Sequence, residues 1–280
     1  MREATMANPA MRWRRFAGYA AAVTLALVMV APFLWMLSTA LMDEFEVFQA
    51  PPPLLPAAPR FANFREALTA LPFAVYFRNS LVLAGATVLG QVVTSAMAGY
   101  AFARHRFAGR TPLFAVYLGT LMIPGIALLV PRFLLVDAMG LVDTVAGLVS
   151  VELVAAWGIF LMRQYFLSLP RDMEDAARLD GASEWQVFTR VAVPLARPAL
   201  ATVALFGFID AWKALLWPLI IARSPDLRVV EAGVASFHGM YYANWPWQMA
   251  AAVAALVPVL TVFLLAQKAF LRGLAFGGLK

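Results

Sequence analysis

The sequence predicts an all-α integral membrane protein with six transmembrane helices, and three observations carry that prediction. First, 62% of its 280 residues are hydrophobic and 14% are charged, against about half apolar and about a quarter charged in a soluble chain. Second, the apolar residues gather into runs close to the length a helix needs to cross a bilayer, about 20 residues rising 1.5 Å each through about 30 Å of hydrocarbon. Third, arginine and lysine concentrate in alternate connections, as the positive-inside rule requires of a multi-pass chain.

In order, the spans are 16–41, 79–103, 112–136, 144–162, 198–222 and 249–271. The first is longer than the apolar region of a cleaved signal peptide, about 7–15 residues, and reads as an uncleaved anchor. In the second, Ala86, Gly90, Thr94 and Ala98 recur every four residues, giving a helix face small enough for another backbone to approach. Pro124 and Pro131 in the third span and Pro258 in the sixth each remove a backbone hydrogen bond and are expected to bend their helices. Bends suit a pathway that opens and closes, although prolines are common in membrane helices of every function. Glu152 lies in the fourth span without a partner at helical spacing. Asp210 and Lys213 lie in the fifth, spaced to pair with each other. A charge at a helix centre costs on the order of 3 kcal/mol, so these residues need an ion pair, water or a polar pathway.

Orientation follows from the basic residues. Arg12, Arg14 and Arg15 precede the first span; Arg104, Arg106 and Arg110 follow the second; Arg163, Arg171, Arg178, Arg190 and Arg197 fall in the 163–197 connection; Lys268, Arg272 and Lys280 come at the end. Six crossings put all of these on one side, the cytoplasm, with both termini. The other side carries Asp43, Glu44, Glu46, Glu66, Asp137, Asp143, Asp226 and Glu231. There, "APPPLLPAAPR" (50–60) reads as a stiff extended linker, and 61–70 as a short amphipathic helix. Phe237, Tyr241, Tyr242, Trp245 and Trp247 fit an interfacial aromatic belt, with contact to cargo or to an outer partner as the alternative.

The composition also excludes several chemistries. With no cysteine, there is no disulfide, thiolate catalysis or cysteine metal site. His105 and His238 lie far apart with no carboxylate at ligand spacing, so no metal is expected. Lys213 and Lys268 precede alanine and Lys280 stands last, so the phosphate-cradling loop, which needs Lys before Ser or Thr, is missing. The net charge of +6 is scattered between apolar runs rather than gathered on one solvated face, which excludes nucleic acid. The chain is therefore expected to be no enzyme and to hold no cofactor. If nucleotide drives it, ATP and Mg are bound by another subunit.

One long stretch of the second half would be refused by a membrane: "LPRDMEDAARLDGASEWQVFTRVAVPLARP", Leu169 to Pro198, with five of the sixteen acidic residues. It reads as two short helices joined by a glycine. Asp172 is placed to cap the first, with Glu174 and Asp175 in the first turn, where the helix dipole favours negative charge. Ala176 and Ala177 keep the surface low. Gly181 suits a left-handed helix end. Ser183 and Gln186 form a capping box for the second helix, whose apolar face carries Trp185 and Phe188, and Pro194 and Pro198 are expected to end it. A lipid-surface hairpin normally has a basic polar face. This one presents Glu174, Asp175, Asp180 and Glu184 to a leaflet that repels acids, so a protein partner fits better.

These residues resemble the EAA loop of permease subunits of binding-protein-dependent ABC importers, particularly the carbohydrate-uptake class with its maltose-type and glycerol-phosphate-type systems. The matching positions are Glu174, Asp175, Ala176, Ala177, Asp180, Gly181, Ala182, Val193, Pro194 and Leu195. "PFLWMLSTAL" (32–41), "RNSLVLA" (78–84), "AGYAFARHRFAGR" (98–110), "MIPGIALLVPRF" (122–133) and "AWKALLWPLI" (211–220) are similar to further segments of the smaller permease subunit of that class. The resemblance implies a type I importer permease fold. The insert would be a coupling helix seated in a separate cytoplasmic ATPase, with Glu174 pairing a basic residue there. It also implies a second permease, two ATPases, an outer solute-binding protein, and sugar, oligosaccharide, polyol or glycerol-phosphate-like cargo moved by alternating access.

Two departures stand out. The family has Trp-Asn where this chain has Trp212-Lys213, which puts Asp210, Trp212, Lys213 and Glu152 forward as pathway candidates beside the plain ion-pair reading. The family's terminal Lys-Gly is here only Lys280. The competing class is a secondary transporter driven by an ion gradient, with Glu152 and Asp210 as the carriers.

Overall fold

The structure is a computed structural model that describes residues 9–239 and 243–277; Tyr241, Tyr242 and Lys280 lie outside the described residues, as do the side chains of Arg12, Arg14, Arg15, Lys268 and Arg272. Among the described residues every regular element is helical, apart from an isolated bridge between His238 and Ala243. The chain divides into two units, Met1–Ala70 with Phe237–Ala254, and Leu71–Ser236 with Ala255–Lys280.

In the first unit, helix α1 (Pro9–Ala40) contains the 25-residue apolar run Phe16–Ala40. Its own chain covers none of the most apolar stretch, which is the expected state of a helix whose solvent is lipid. Helix α2 (Ala62–Ala70) matches the predicted amphipathic segment. The buried Asn63 ties it to the end of α1, its Nδ2 donating to the carbonyls of Ala40 and Met42 at 2.9 Å each. The proline-rich linker is pinned as well, since the Ser38 hydroxyl donates to Leu54 O at 2.7 Å.

The second unit is built on α3 (Phe73–Arg104), an uninterrupted apolar helix covering the predicted span 79–103. The predicted span 249–271 likewise falls in one helix, α14 (Trp245–Gly277), which runs unbroken through Pro258.

None of the other three predicted spans is a single helix. Over 112–136, α4 (Arg110–Gly119) gives way at Ile123–Pro124 to a second helical stretch ending in α5 (Leu129–Ala138), and the two halves meet at 101°. Pro124 offers no N–H and forces Ile123 into extended backbone, ψ 118°. Pro131 bends nothing, since it sits in the first turn of α5, where its missing N–H would have had no acceptor.

Over 144–162 there are two helices, α6 (Val145–Ser150) and α7 (Ala156–Ser168), separated by residues 151–155. Downstream follow α8 (Asp172–Leu179), α9 (Glu184–Gln186), a π-helical turn (Val187–Ala192) and α10 (Val193–Leu195). Pro194 does not stop this stretch. The π turn before it accommodates the missing N–H, and the chain turns by 75° only at Ala196, with Pro198 in the first turn of α11 (Arg197–Trp212). The 198–222 span then breaks at 213–215 before α12 (Leu216–Ile221). Helix α13 (Val230–Ala235) completes the unit.

Helix α3 packs against α7 and α11 at backbone distance. A Cβ added to Gly90 would lie 3.0 Å from Leu153 Cα, and one added to Gly99 would lie 2.6 Å from Met162 Cβ and 2.9 Å from Arg163 N. The small-residue face read from the sequence therefore does meet backbone, at Gly90 and Thr94. Gln91 Nε2 donates to Glu152 O at 3.0 Å, while the Thr94 hydroxyl, which bonds Gly90 O of its own helix at 2.8 Å, lies 3.2 Å from Leu153 O, so α3 satisfies a carbonyl freed by the break between α6 and α7, as a non-helical segment at membrane depth requires.

Gly99→Ala is expected to lower stability by about 1–3 kcal/mol, the cost of overpacking against a neighbour that cannot retreat. Gly85→Ala, where the added methyl meets nothing within 4 Å, should be neutral or stabilising, because alanine favours helix by up to about 1 kcal/mol. Thermal unfolding in detergent checks both, and equal midpoints for the two variants would contradict the close approach.

Candidate functional site

The polar insert folds as the local sequence dictates, with one exception. Asp172 is the first residue of α8 rather than its cap, and no side chain caps that end; Asp172, Glu174 and Asp175 all lie in the first turn. The C-terminus closes on Gly181 at φ +85°, with Ala182 N–H bonded to Ala177 O and Gly181 N–H to Arg178 O, both 3.0 Å. This is the paired 6→1 and 5→2 arrangement that glycine makes possible. The capping box forms: Ser183 N–H donates to Gln186 Oε1 at 2.8 Å and Gln186 N–H to Ser183 Oγ at 3.3 Å.

Glu174 departs most from expectation. It was read as an outward acid awaiting a partner's base, yet it is 1% exposed and paired within its own chain. Arg104, at the end of α3, gives Nε and Nη2 to Glu174 Oε1 at 2.9 and 2.8 Å. The Tyr100 hydroxyl donates to Oε2 at 3.3 Å, and Arg178 Nη2 stands 3.7 Å from Oε2. Arg104 Nη2 also donates to Leu169 O at 3.1 Å.

Arg178 closes the outer side of the corner. Its Nη1 reaches Asp175 Oδ1 and its Nε reaches Glu184 Oε1, each at 2.7 Å. The Arg178 hydrogen bond holds the Glu184 carboxyl below the ordinary glutamate range, and the same bond raises the Arg178 guanidinium. Asp175, Ala176, Asp180 and Gly181 are exposed, and Ala177 and Ala182 are half-buried. Among them stand three large apolar side chains in the open: Met173, Leu179 at 89% exposure and Trp185. A charged hollow of about 410 Å³ lies beside them, lined by Arg104, His105, Arg171, Glu174, Arg178 and Glu184.

The intramembrane candidates form two ion pairs. Lys213 Nζ is 3.0 Å from Asp210 Oδ1, with both side chains more than half exposed. Glu152 finds its partner on another element, Arg132 of α5, at 3.1 Å and about one-third exposed. Trp212 does not share that exposure. It is 2% exposed, stacks on Phe208 at 5.5 Å and donates Nε1 to Ala255 O at 3.0 Å, so it braces helices instead of facing a pathway. Arg104, Tyr100 and Arg132 were missed by sequence reasoning as partners. Their pairings join residues 70, 74 and 20 positions apart, and no local pattern announces them. Among the described residues no three His, Cys, Asp or Glu side chains converge as a metal site would need.

Comparison with known proteins accounts for this arrangement. The family described as binding-protein-dependent transport system inner membrane component matches residues 4–275. The arabinooligosaccharides transport system permease protein AraQ of Bacillus subtilis is 36% identical over 205 residues, 73% of each chain. The sn-glycerol-3-phosphate transport system permease protein UgpE of Pectobacterium atrosepticum is 34% identical over 243 residues, 84% of this chain and 86% of that one. A crystal structure of a bacterial ABC transporter involved in import of the acidic polysaccharide alginate has the same fold, with a TM-score of 0.81 at 24% identity over 95% of this chain and 99% of that one. An ion-gradient carrier built on Glu152 and Asp210 is left without support. This chain belongs to the family of inner-membrane components of binding-protein-dependent transport systems and is a non-catalytic permease subunit of an ABC importer.

Proposed function

We propose that the chain is one of two permease subunits between which a sugar, oligosaccharide, polyol or glycerol-phosphate-like solute enters the cytoplasm. Two ATPase subunits, which bind the ATP and Mg, dock beneath the membrane, one of them on the α8–α9 corner; a solute-binding protein delivers cargo from outside. The chain crosses six times, with the broken pairs counted as single crossings, and both termini lie in the cytoplasm. The names of the relatives support the cargo class.

One observation carries the ATPase part. The corner is bolted from behind by a buried carboxylate, while its outer surface presents Met173, Leu179 and Trp185 uncovered. Large apolar side chains left open on a charged loop mark a protein contact more readily than a solvated surface. Glu174 acts from inside the corner, Asp175 holds Arg178, and the apolar trio, with Asp180 at its edge, forms the contact itself.

The pathway part rests on Glu152, Asp210 and Lys213, to which Arg132 is added. Each cation here already has a carboxylate, so the cluster offers many hydrogen-bonding groups and no net charge. Hydroxyl-rich cargo is held by such groups without the deep electrostatic trap a bare cation would set, and passage requires binding weak enough to release.

Leu179→Glu is expected to leave membrane insertion intact and to weaken ATPase attachment about 30-fold, the equivalent of about 2 kcal/mol for an interface hot spot. Co-purification of the ATPase and uptake in vesicles measure it; wild-type uptake would reject the docking surface. Glu174→Arg is not the variant for this test, because it sets a second cation against the buried Arg104 and should impair folding, where breaking such a pair costs about 3–5 kcal/mol.

Lys213→Met tests the pathway. Uptake rate or cargo preference should change with thermal stability nearly unmoved, since an exposed pair contributes about 0–1 kcal/mol. Unchanged uptake with lower stability would mean that Asp210 and Lys213 only brace the chain.

A further inference from the structure

We propose that Arg104 and Tyr100 are positioning residues that make α3 and α8 one rigid lever, so that displacement of the ATPase-facing corner passes directly into α3. The inference rests on the docking reading above and adds where the motion goes.

The argument begins with how little else attaches α8. Of its eight residues only Glu174 is buried, and beside its packing on the π turn the helix is joined to α3 through that carboxylate. That carboxylate receives donors from two residues of α3, Arg104 and Tyr100. Arg104 at 4% and Glu174 at 2% side-chain exposure are shielded from the salt and water that loosen surface pairs. A guanidinium that directs Nε–H at the carboxylate and Nη2–H at the Leu169 carbonyl also fixes direction, which a single ammonium contact would not. The third grip, Arg104 to Leu169 O, holds the residue that leads from α7 into α8, so the near end of the helix cannot swing while the carboxylate stays put.

The α3 side of the joint is equally stiff. The Tyr100 ring lies 5.3 Å from Phe166 at the end of α7 and 5.1 Å from Phe188 in the π turn. Those three rings belong to a buried cluster with Ala96, Met162, Ala192 and Val203. Further along, α3 meets Leu153, Met162 and Arg163 with no room for one added carbon at Gly90 or Gly99. Close-packed interfaces of this kind shift between discrete arrangements and do not deform gradually. A push on α8 therefore has one continuous stiff route, through Glu174 and Arg104 into α3. The same helix reaches the backbone of Glu152 through Gln91, beside the proposed pathway.

Because the chain has no cysteine, two spin labels can be placed uniquely, at Asp172→Cys, the exposed first residue of α8 outside the proposed contact, and at the exposed Leu89→Cys. The complete transporter, with cysteine-free partners and in lipid nanodiscs, is measured by pulsed electron resonance without nucleotide and with ATP trapped. The distance between the labels should stay constant to within about 2 Å, whereas a change of about 5 Å, one helical turn, would overturn the lever. Arg104→Gln should broaden that distance and raise the ATP hydrolysed per solute imported, with Arg104→Lys restoring part of the coupling; Arg104→Gln with wild-type stoichiometry would also overturn it. If Arg104→Gln fails to assemble, Tyr100→Phe, which removes one hydroxyl, is read by the same ratio. A separate, unlabelled Leu179→Cys variant reports on docking itself. Failure to cross-link to the ATPase would overturn both readings, while cross-linking with a 5 Å change would overturn the lever alone.

Discussion

The buried ion pair between Glu174 and Arg104 is the constraint from which the cytoplasmic end of the chain takes its shape. Removing two charges from water costs several kcal/mol per ion, and the cost is offset only where geometry is good and the remaining donors and acceptors are also satisfied. Here they are. Two guanidinium nitrogens meet one carboxylate oxygen at 2.9 and 2.8 Å, a tyrosine hydroxyl meets the other, and a carbonyl takes a further N–H. The consequence is specificity of position. Sliding α8 by one residue along α3 would leave both charges buried and unpaired, so only one register is tolerable.

The broken helices obey a related rule. Backbone that leaves the helix at membrane depth must find partners within the protein, and side chains of the second unit supply them. Gln91 of α3 serves the 151–155 break. Asn79, near the other end of α3, donates to Asp226 O at 2.7 Å and Arg228 O at 2.9 Å, and Trp217 Nε1 donates to Leu148 O at 3.0 Å. Asp143, itself at φ +59°, accepts from the backbone N–H groups of Arg223 and Ser224 at 2.9 Å each. The Ser224 N–H chiefly holds that carboxyl below the usual aspartate range. Helix α3 thus acts as scaffold, close-packed by glycine where backbone approaches and polar where broken backbone needs a donor.

What the sequence disclosed divides along the same line. Features set within a few residues were legible: the capping box of Ser183 and Gln186, the left-handed Gly181, and the apolar helices over 16–41, 79–103 and 249–271. Features set by distant contacts were not. Hydropathy cannot separate a continuous span from two halves at 101°, because both are equally apolar; only Pro124 carried a signal, and Pro131, chemically identical, stood one turn too late to act. The burial of Glu174 was hidden because its partner lies 70 residues away among arginines that also satisfy the positive-inside rule. Lys213 and Asp210 paired as their spacing suggested, whereas Glu152 required Arg132 from another element.

This division bears on why the corner is built as it is. A contact made through exposed carboxylates would be screened within about 8 Å at physiological salt and only loosely oriented, and so poorly suited to carrying displacement in one direction. The acids of the insert are instead spent on internal geometry. Glu174 locks the base, Asp175 and Glu184 hold Arg178 across the turn, and the first-turn acids stabilise α8 through its dipole. In the docking proposed above, that leaves Met173, Leu179 and Trp185 to make a contact whose attraction is short-ranged and whose shape is fixed in advance. Preorganisation of this kind lowers the ordering cost of binding, and it ensures that force applied at the tip meets a stiff base before anything can yield.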